Sequence, residues 1–540
     1  MSVSFVVNHS FIYHRHGIKL KRKSNNLLSR VYSNVKQGTS VPRPLFDKLV
    51  EESKRIKASF HFPGHKRGSA IPSCMLNSFG PSMFSADLPE LPALDNLANP
   101  SGVIKEAEEL AAKVFSAGKS WFLVNGATSG VLAALMSCCR PKRKVLVPRN
   151  VHQSVLYGLI LCGSIPVYIS PNYHVEYNIA FEIPESSLEE QLREHRGEVD
   201  AVVIVSPTYH GYVSNISDIS EICRRYNAIL IVDEAHGAHF IFHPSFPPPA
   251  LRSGADIVVH GTHKCLTSLT QTGMLHLSSD ALLSGRVDAN RISNALQLFQ
   301  TSSPNYLLLA SLDASRQQFE TKGEAMLENA LYLASLAKRQ LEEIPGFRIL
   351  GKRNPNDMFD PTRMNVVLRE DYWDCNGFDM DQLLIENYGV YAELPSFNHL
   401  VFIVSPGNVE SDISCLVDAL KQISIERKKD NNITPKDVSQ NCLHWQHFGK
   451  VVSRLLQSPF PRQRMSPREA FYHPDRQFVP FVDSEGRIAA CTVSCYPPGI
   501  PILLPGEEIS HDALVVIDTL KQFGATITGF HEDNNTIQVV

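Results

Sequence analysis

Residues 229–239 read Ile229-Leu230-Ile231-Val232-Asp233-Glu234-Ala235-His236-Gly237-Ala238-His239, four apolar residues running straight into an acidic, histidine-rich turn. A second stretch repeats the arrangement, with Ile257-Val258-Val259 leading into His260-Gly261-Thr262-His263-Lys264. Short apolar runs without polar alternation are the mark of strands covered on both faces, as in a parallel sheet. Outward from these two, Trp121 to Val124, Val145 to Val147, Val167 to Ile169, Ala201 to Val205 and Met274 to Leu277 read the same way. Helical periods lie between them. Val103, Ile104, Ala107, Leu110, Ala111 and Val114 share one helix face, and Ser217 to Tyr226 is a second candidate. Strands and helices in alternation predict an α/β layered domain with right-handed crossovers.

Past Pro304 the pattern changes. A long helical stretch from Leu307 to Glu343 is expected to break near Lys322-Gly323. Strands at Met364 to Leu368 and Leu400 to Val404 then frame a smaller α+β unit. The polar run Lys428 to Asn432 reads as a linker to a third segment containing Phe471 to Val540. These readings divide the chain into residues 1–40, an arm at 41–100, a large domain at 101–315, a small domain at 316–430 and a C-terminal domain at 431–540. No internal repeat is found.

A length of 540 residues calls for more than one core, and 43% apolar with 20% charged residues is an ordinary globular balance. The net charge of −3 argues against nucleic acid or an anionic membrane as partner, and no apolar run is long enough to span a bilayer. Eleven cysteines with no C-x-x-C pair read as reduced, mostly buried thiols. From Met1 to Phe46 there is no acid, while Arg15, Lys19, Lys21, Arg22, Lys23, Arg30 and Lys36 stand among serines. That composition is expected of an organellar transit peptide, for a chloroplast or other plastid, with a merely disordered basic arm on a cytoplasmic protein as the alternative.

In open α/β sheets ligands bind beyond the carboxyl ends of the strands, and three motifs fall there. Asn125-Gly126-Ala127-Thr128-Ser129-Gly130 follows one strand and opens a helix, where small residues and free amides suit a phosphate. Many such turns bind nothing, so this motif alone does not decide. Asp233 to His239 admits several readings: a carboxylate for a protonated pyridine nitrogen, a metal site from Asp233, His236 and His239, or a solvated strand end. A helicase Asp-Glu-Ala-His box is excluded, because Gly118-Lys119-Ser120 has Lys113 five residues before it where a phosphate loop needs glycine. Lys264 at a buried strand end is placed to form an imine with an aldehyde if its amine is partly desolvated.

Together these motifs make the chain resemble the Orn/Lys/Arg decarboxylases, pyridoxal-phosphate enzymes of the aspartate aminotransferase-like fold type I. The resemblance runs from about Pro44 to the C-terminus. It also rests on Phe60-His61-Phe62-Pro63-Gly64-His65-Lys66-Arg67-Gly68, Val147 to Ser154, Ser206-Pro207-Thr208-Tyr209, Ser466 to Phe471 and Tyr496 to Pro501. It implies a mostly parallel seven-stranded sheet with smaller α+β C-terminal domains, and decarboxylation of arginine, lysine or ornithine to an amine for polyamine or related synthesis, with an aminotransferase or other pyridoxal enzyme on the same fold, or a catalytically silent scaffold, as the alternatives. It further implies that Lys264 holds the cofactor, Asp233 pairs with its ring nitrogen, and His152 stacks on the ring opposite Ala235. Ala127, Thr128 and Thr262 would be phosphate ligands, His263 would support phosphate or substrate, and Thr208 would lie near the ring hydroxyl. His65 and Glu507 would face the substrate, with no metal, in a homodimer or larger homo-oligomer. The chain departs from the family at Gln153, Asn96 and Ala98, where relatives often carry Lys, Asp and His; these changes bear on substrate choice. It looks like the shorter branch without an N-terminal wing domain.

Overall fold

Seven strands form the central sheet of the computed structural model, which describes residues 41–429, 449–457, 460–496, 500–522, 525–531 and 535–540. They are β1 (Lys119–Leu123), β2 (Lys144–Pro148), β3 (Ile165–Ile169), β4 (Val199–Val205), β5 (Ile229–Asp233), β6 (Ile257–His260) and β7 (Gly273–Leu277). Their order is β1-β7-β6-β5-β4-β2-β3, parallel throughout except for β7, which runs against both neighbours. Each strand lies within two residues of its sequence expectation.

The absence of alternation has a direct cause. Successive side chains on a strand point to opposite faces, and here both faces are core. Val202, Leu230 and Val258 pack into one apolar cluster, whereas their neighbours Val203, Ile231 and Val259 pack into another. The first cluster is roofed by α1 (Pro44–Arg55), α2 (Val103–Phe115) and others, the second by α3 (Gly126–Cys138) and α4 (Gln153–Cys162). Helix α5 (Ile216–Arg225), expected over Ser217 to Tyr226, covers the first face through Ile216, Ile219 and Ile222.

The long helix corrects one expectation. Helix α6 (Tyr306–Glu342) runs 37 residues without a break through Lys322-Gly323. Gly323 is there for packing: a Cβ at that position would stand 3.3 Å from the Cβ of Phe242 and 3.0 Å from Phe319 Cδ1. The first half of α6 buries Tyr306, Leu309 and Phe319 in the cluster under the main sheet. Its second half buries Leu333, Ala337 and Leu341 in a different cluster that continues to Val539.

That second cluster joins two sets of strands. One is the antiparallel sheet β8-β9-β11-β10, built from β8 (Phe347–Leu350), β9 (Arg363–Leu368), β10 (Leu394–Pro395) and β11 (His399–Ile403), with α7 (Gly377–Tyr388) between β9 and β10. The other is a pair of three-stranded sheets within residues 477–539, with α8 (His511–Gln522) packed beside them. Of the expected linker only Lys428 and Lys429 fall among the described residues, and Pro497 to Gly499 lie outside them, as does residue range 1–40.

Helix α3 sits so close to the sheet that a Cβ on Gly130 would come within 2.7 Å of Leu123 Cδ1 and 2.8 Å of Val259 Cγ1. Gly130→Val should therefore destabilise the fold by about 1–3 kcal/mol through overpacking. Urea unfolding measures it, and an unchanged midpoint would contradict the contact.

Candidate active site

The carboxyl ends of β1, β2, β4, β5 and β6 all emerge at one edge of the sheet, because these strands share a direction. The loops that leave them line a cavity of about 400 Å³. Ala127 and Thr128 follow β1, His152 follows β2, Thr208 follows β4, Asp233 and Ala235 belong to β5 and its turn, and His263 and Lys264 follow β6. The register explains the meeting of acid and amine: Asp233 pairs across the ladder with Val259, five residues before Lys264. Apolar side chains from the smaller sheets and C-terminal segment, including Leu394, Phe397, Leu456 and Ile502, close the cavity over them.

At one end the structure offers unused donors. Helix α3 starts at Gly126, whose φ of 72° lies in the left-handed region that glycine tolerates. Its N-cap Asn125 makes no capping bond and instead donates Nδ2–H to the Phe299 carbonyl; the Gly126 amide donates to the Gln271 carbonyl at 2.8 Å, so the amides of Ala127 and Thr128 are the ones left for another acceptor. Thr262 is not itself among the lining residues but adjoins His263, which is, and its buried Oγ1 has no hydrogen-bond partner. Gly273 keeps the approach open, since a Cβ there would stand 2.7 Å from His260 O and 3.3 Å from the Ala127 nitrogen. His263 is anchored by Nδ1–H donated to Thr272 O at 2.7 Å. A helix start with free amides and an orphaned buried hydroxyl fits the oxygens of a phosphate.

At the other end the chemistry is set by desolvation. Burial pulls the Lys264 amine below the usual lysine range and Arg363 adds to the fall, while Asp233 and Glu393 oppose it. Burial likewise lowers His152, with Lys264 adding to the fall and Asp233 opposing. His152 Nδ1 accepts the Ser154 amide at 3.2 Å, so the neutral ring carries its proton on Nε2. Asp233 is 6% exposed and its Oδ1 accepts the Ala235 amide at 3.2 Å.

Several further groups meet at Lys264, of which the sequence marks His236 for a different role and Tyr209 only as part of a motif. His236 Nε2 lies 3.0 Å from Lys264 Nζ, and its ring lies 4.4 Å from that of Tyr209. Tyr209 donates its hydroxyl to Glu393 at 2.9 Å. Arg363, at the start of β9, is fully buried and meets His236 Nδ1 at 3.2 Å. No motif marks Arg363 or Glu393, which reach the site only through tertiary packing. The metal reading of Asp233, His236 and His239 finds these side chains directed to separate partners, with His239 paired to Asp360 at 3.2 Å. Among the described residues no group of three or more His, Cys, Asp or Glu is arranged to hold a metal ion.

The two residues expected on the substrate side are not among those lining this cavity. Glu507 is fully buried and ion-paired with the equally buried Arg149, and it also accepts the Leu504 amide at 3.2 Å. His65 bonds Asp87 at 3.1 Å and accepts the Gly68 amide at 3.0 Å.

A parallel sheet with a phosphate-fitting turn, a strand-end acid and a buried lysine at one edge defines the class of fold type I pyridoxal enzymes. Solved structures carry the same fold: lysine decarboxylase A from Pseudomonas aeruginosa has a TM-score of 0.79 at 22% identity over 92% of this chain and 80% of that one. The Francisella novicida lysine decarboxylase gives 0.76 at 21%, over 93% and 81%. Residues 43–411 match the family described as Orn/Lys/Arg decarboxylase, major domain, and residues 450–539 match its C-terminal domain. The chain belongs to the Orn/Lys/Arg decarboxylase family. Relatives include the arginine decarboxylases of Halalkalibacterium halodurans, 34% identical over 92% of this chain and 97% of theirs, and Bacillus subtilis, 31% identical over the same shares.

The organellar destination expected from residues 1–46 is corrected by these relatives, and with it the transit-peptide and plastid reading. They are proteins of bacteria, cells without plastids. A basic, serine-rich, acid-free stretch is a compositional signal that many basic arms share.

Beneath the site, burial alone would lower His239, yet Asp360 raises it to about 9. Asp360 is held below the usual carboxylate range by His239 and Arg363, against the effect of its burial. The raised imidazole contributes its full stability below its ordinary value of 6.5, and that contribution is lost as pH rises towards 9. Thermal unfolding between pH 6.5 and 9 should thus lose a few kcal/mol more in the natural chain than in His239→Gln. Parallel curves would refute the pairing.

Proposed function

We propose that this protein removes the α-carboxylate of a basic amino acid as CO₂, using pyridoxal phosphate held at the edge of the main sheet. The observation that carries the reading is the convergence of Asp233, Lys264 and the open start of α3 on one cavity. Pyridoxal phosphate, when bound, supplies an electron sink for the bonding pair released at the substrate α-carbon.

The chain's own residues do the rest. Ala127, Thr128 and Thr262 offer amide and hydroxyl donors to the phosphate, with His263 beside them. Lys264 is the amine that holds the cofactor covalently, and its desolvation favours the neutral, nucleophilic form. Asp233 supplies an anion for the ring nitrogen. His152 and Ala235 present flat and small surfaces for the two ring faces, and Thr208 lies on the same rim. Leu394, Phe397 and Ile502 exclude water, which strengthens each of these electrostatic contacts.

Substrate choice rests on the charge of the side-chain tail. Glu393, bonded to the Tyr209 hydroxyl, is the acid beside the site with a bearing on both Lys264 and His263, and suits a cationic tail. Four relatives 31–34% identical are named arginine decarboxylases, whereas a lysine decarboxylase that spans 92% of the chain is 25% identical, which puts arginine first, ahead of lysine and ornithine. The amine formed suits polyamine or related amine synthesis. Exposed Phe60, Phe62 and Phe79 on the arm support a homo-oligomer, since apolar groups so exposed are normally covered by a partner.

Purified protein given each carboxyl-labelled amino acid should release labelled CO₂ from one basic substrate. Lys264→Ala should lose both this release and the visible absorbance of bound cofactor. Keto-acid formation in place of CO₂ would overturn the reaction. Glu393→Gln should raise KM for the basic substrate about tenfold, the loss of ~1.4 kcal/mol of binding, with a smaller change in kcat. An unchanged KM would remove Glu393 from substrate recognition.

A further inference from the structure

Arg363 lies 99 residues from Lys264 in sequence and belongs to another sheet, yet its guanidinium reaches the lysine through one imidazole. It is fully buried, and its Nε donates to Asp360 Oδ2 at 3.3 Å. Asp360 is fixed in turn by the Thr362 amide and hydroxyl, at 2.9 and 2.6 Å, and by His239. The arginine stem packs against Gly211, where a Cβ would stand 2.6 Å from Arg363 Cγ. So held, Nη2 faces His236 Nδ1 and the His236 carbonyl, each at 3.2 Å. The far side of the same ring, Nε2, lies 3.0 Å from Lys264 Nζ.

Donor chemistry then fixes the protons. A guanidinium only donates, so Nδ1 must accept and the neutral ring must carry its hydrogen on Nε2. That hydrogen points at Lys264, and only an amine with a lone pair can accept it. An ammonium at Lys264 would need the opposite tautomer, which sets the Nδ1–H of His236 against the N–H of Arg363 in a buried site. We propose that Arg363 is a positioning residue: by fixing the His236 proton on Nε2 it makes the ring a donor to Lys264 and holds that amine in the neutral form needed to take up an aldehyde. The inference rests on Lys264 being the cofactor lysine.

Other charges bear on the same groups. Asp233 and Glu393 favour the ammonium, whereas Arg363 opposes it directly. Around His236 stand Lys264, Arg363, His152 and His263, and burial pushes its pKa well below the usual histidine range, Lys264 and Arg363 adding to the fall, which keeps the ring neutral.

The test is the pH midpoint of Lys264 acylation in the cofactor-free full chain, read by peptide mass spectrometry. His236→Phe leaves the Arg363–Asp360 pair in place, so folding is preserved and the direct charge effect of Arg363 stays constant. The midpoint should rise by about one pH unit, a tenfold fall in neutral amine. No change, or a fall, would overturn the proposal, because a ring accepting from an ammonium predicts a fall. Arg363→Met should raise the midpoint more in the natural background than in His236→Phe, and Arg363→Lys should restore most of it. Equal rises in both backgrounds would mean simple charge repulsion and would also overturn it. Cofactor absorbance of the natural protein is recorded separately, so a failed relay is distinguishable from a wrong assignment of Lys264.

Discussion

Two-sided burial of the main sheet is the constraint from which the remaining structure follows. Because alternate residues of β4, β5 and β6 are claimed by two different apolar clusters, the stretches Ala201 to Val205, Ile229 to Val232 and Ile257 to Val259 carry only apolar side chains. Polar chemistry is pushed to the strand ends, and the shared strand direction gathers the carboxyl ends at one edge. There the amides of a helix start and the loops leaving five strands face the same space. Glycines at 126, 130 and 273 mark where backbone must pass closest, one by its left-handed φ and two because a side chain would collide with the sheet or with the neighbouring turn.

At that edge desolvation acts on the lysine and the histidines. It lowers Lys264 and His152 and would lower His239 as well. Buried ionisable groups are paired: Asp360 lies beside His239 and Arg363, and Glu507 beside Arg149. The pairing of Arg149 with Glu507 links the end of β2 to the C-terminal segment through two fully buried charges, either of which would be strongly destabilising alone. Glu507 is therefore bound up in holding the C-terminal segment against the large sheet.

Helix α6 gives the molecule its other continuity. Its first half belongs to the core under the main sheet and its second half to the core shared by the smaller sheets. A break near Gly323 would uncouple them; the glycine instead permits contact with Phe242 while the helical hydrogen bonds continue. Arg363 and Glu393, carried by the strands and loops beyond α6, are thereby brought against His236 and Tyr209, which line a site whose lysine belongs to the large sheet.

The order of the strands' apolar runs, their lack of alternation and the residues placed at their ends were legible in the sequence, because burial on both faces leaves a direct compositional trace. Asp233, Lys264 and the turn at Asn125 to Gly130 could be singled out for the same reason, each lying at or within a few residues of the end of its strand. What only the tertiary structure decided is which distant groups meet them. Arg363 and Glu393 lie far along the chain with no local pattern, Glu507 is turned to Arg149, and His236 faces an arginine and a lysine. Local spacing encodes which way a side chain leaves its own strand; the partner it meets there depends on how separate layers pack, and that information is spread over the whole chain.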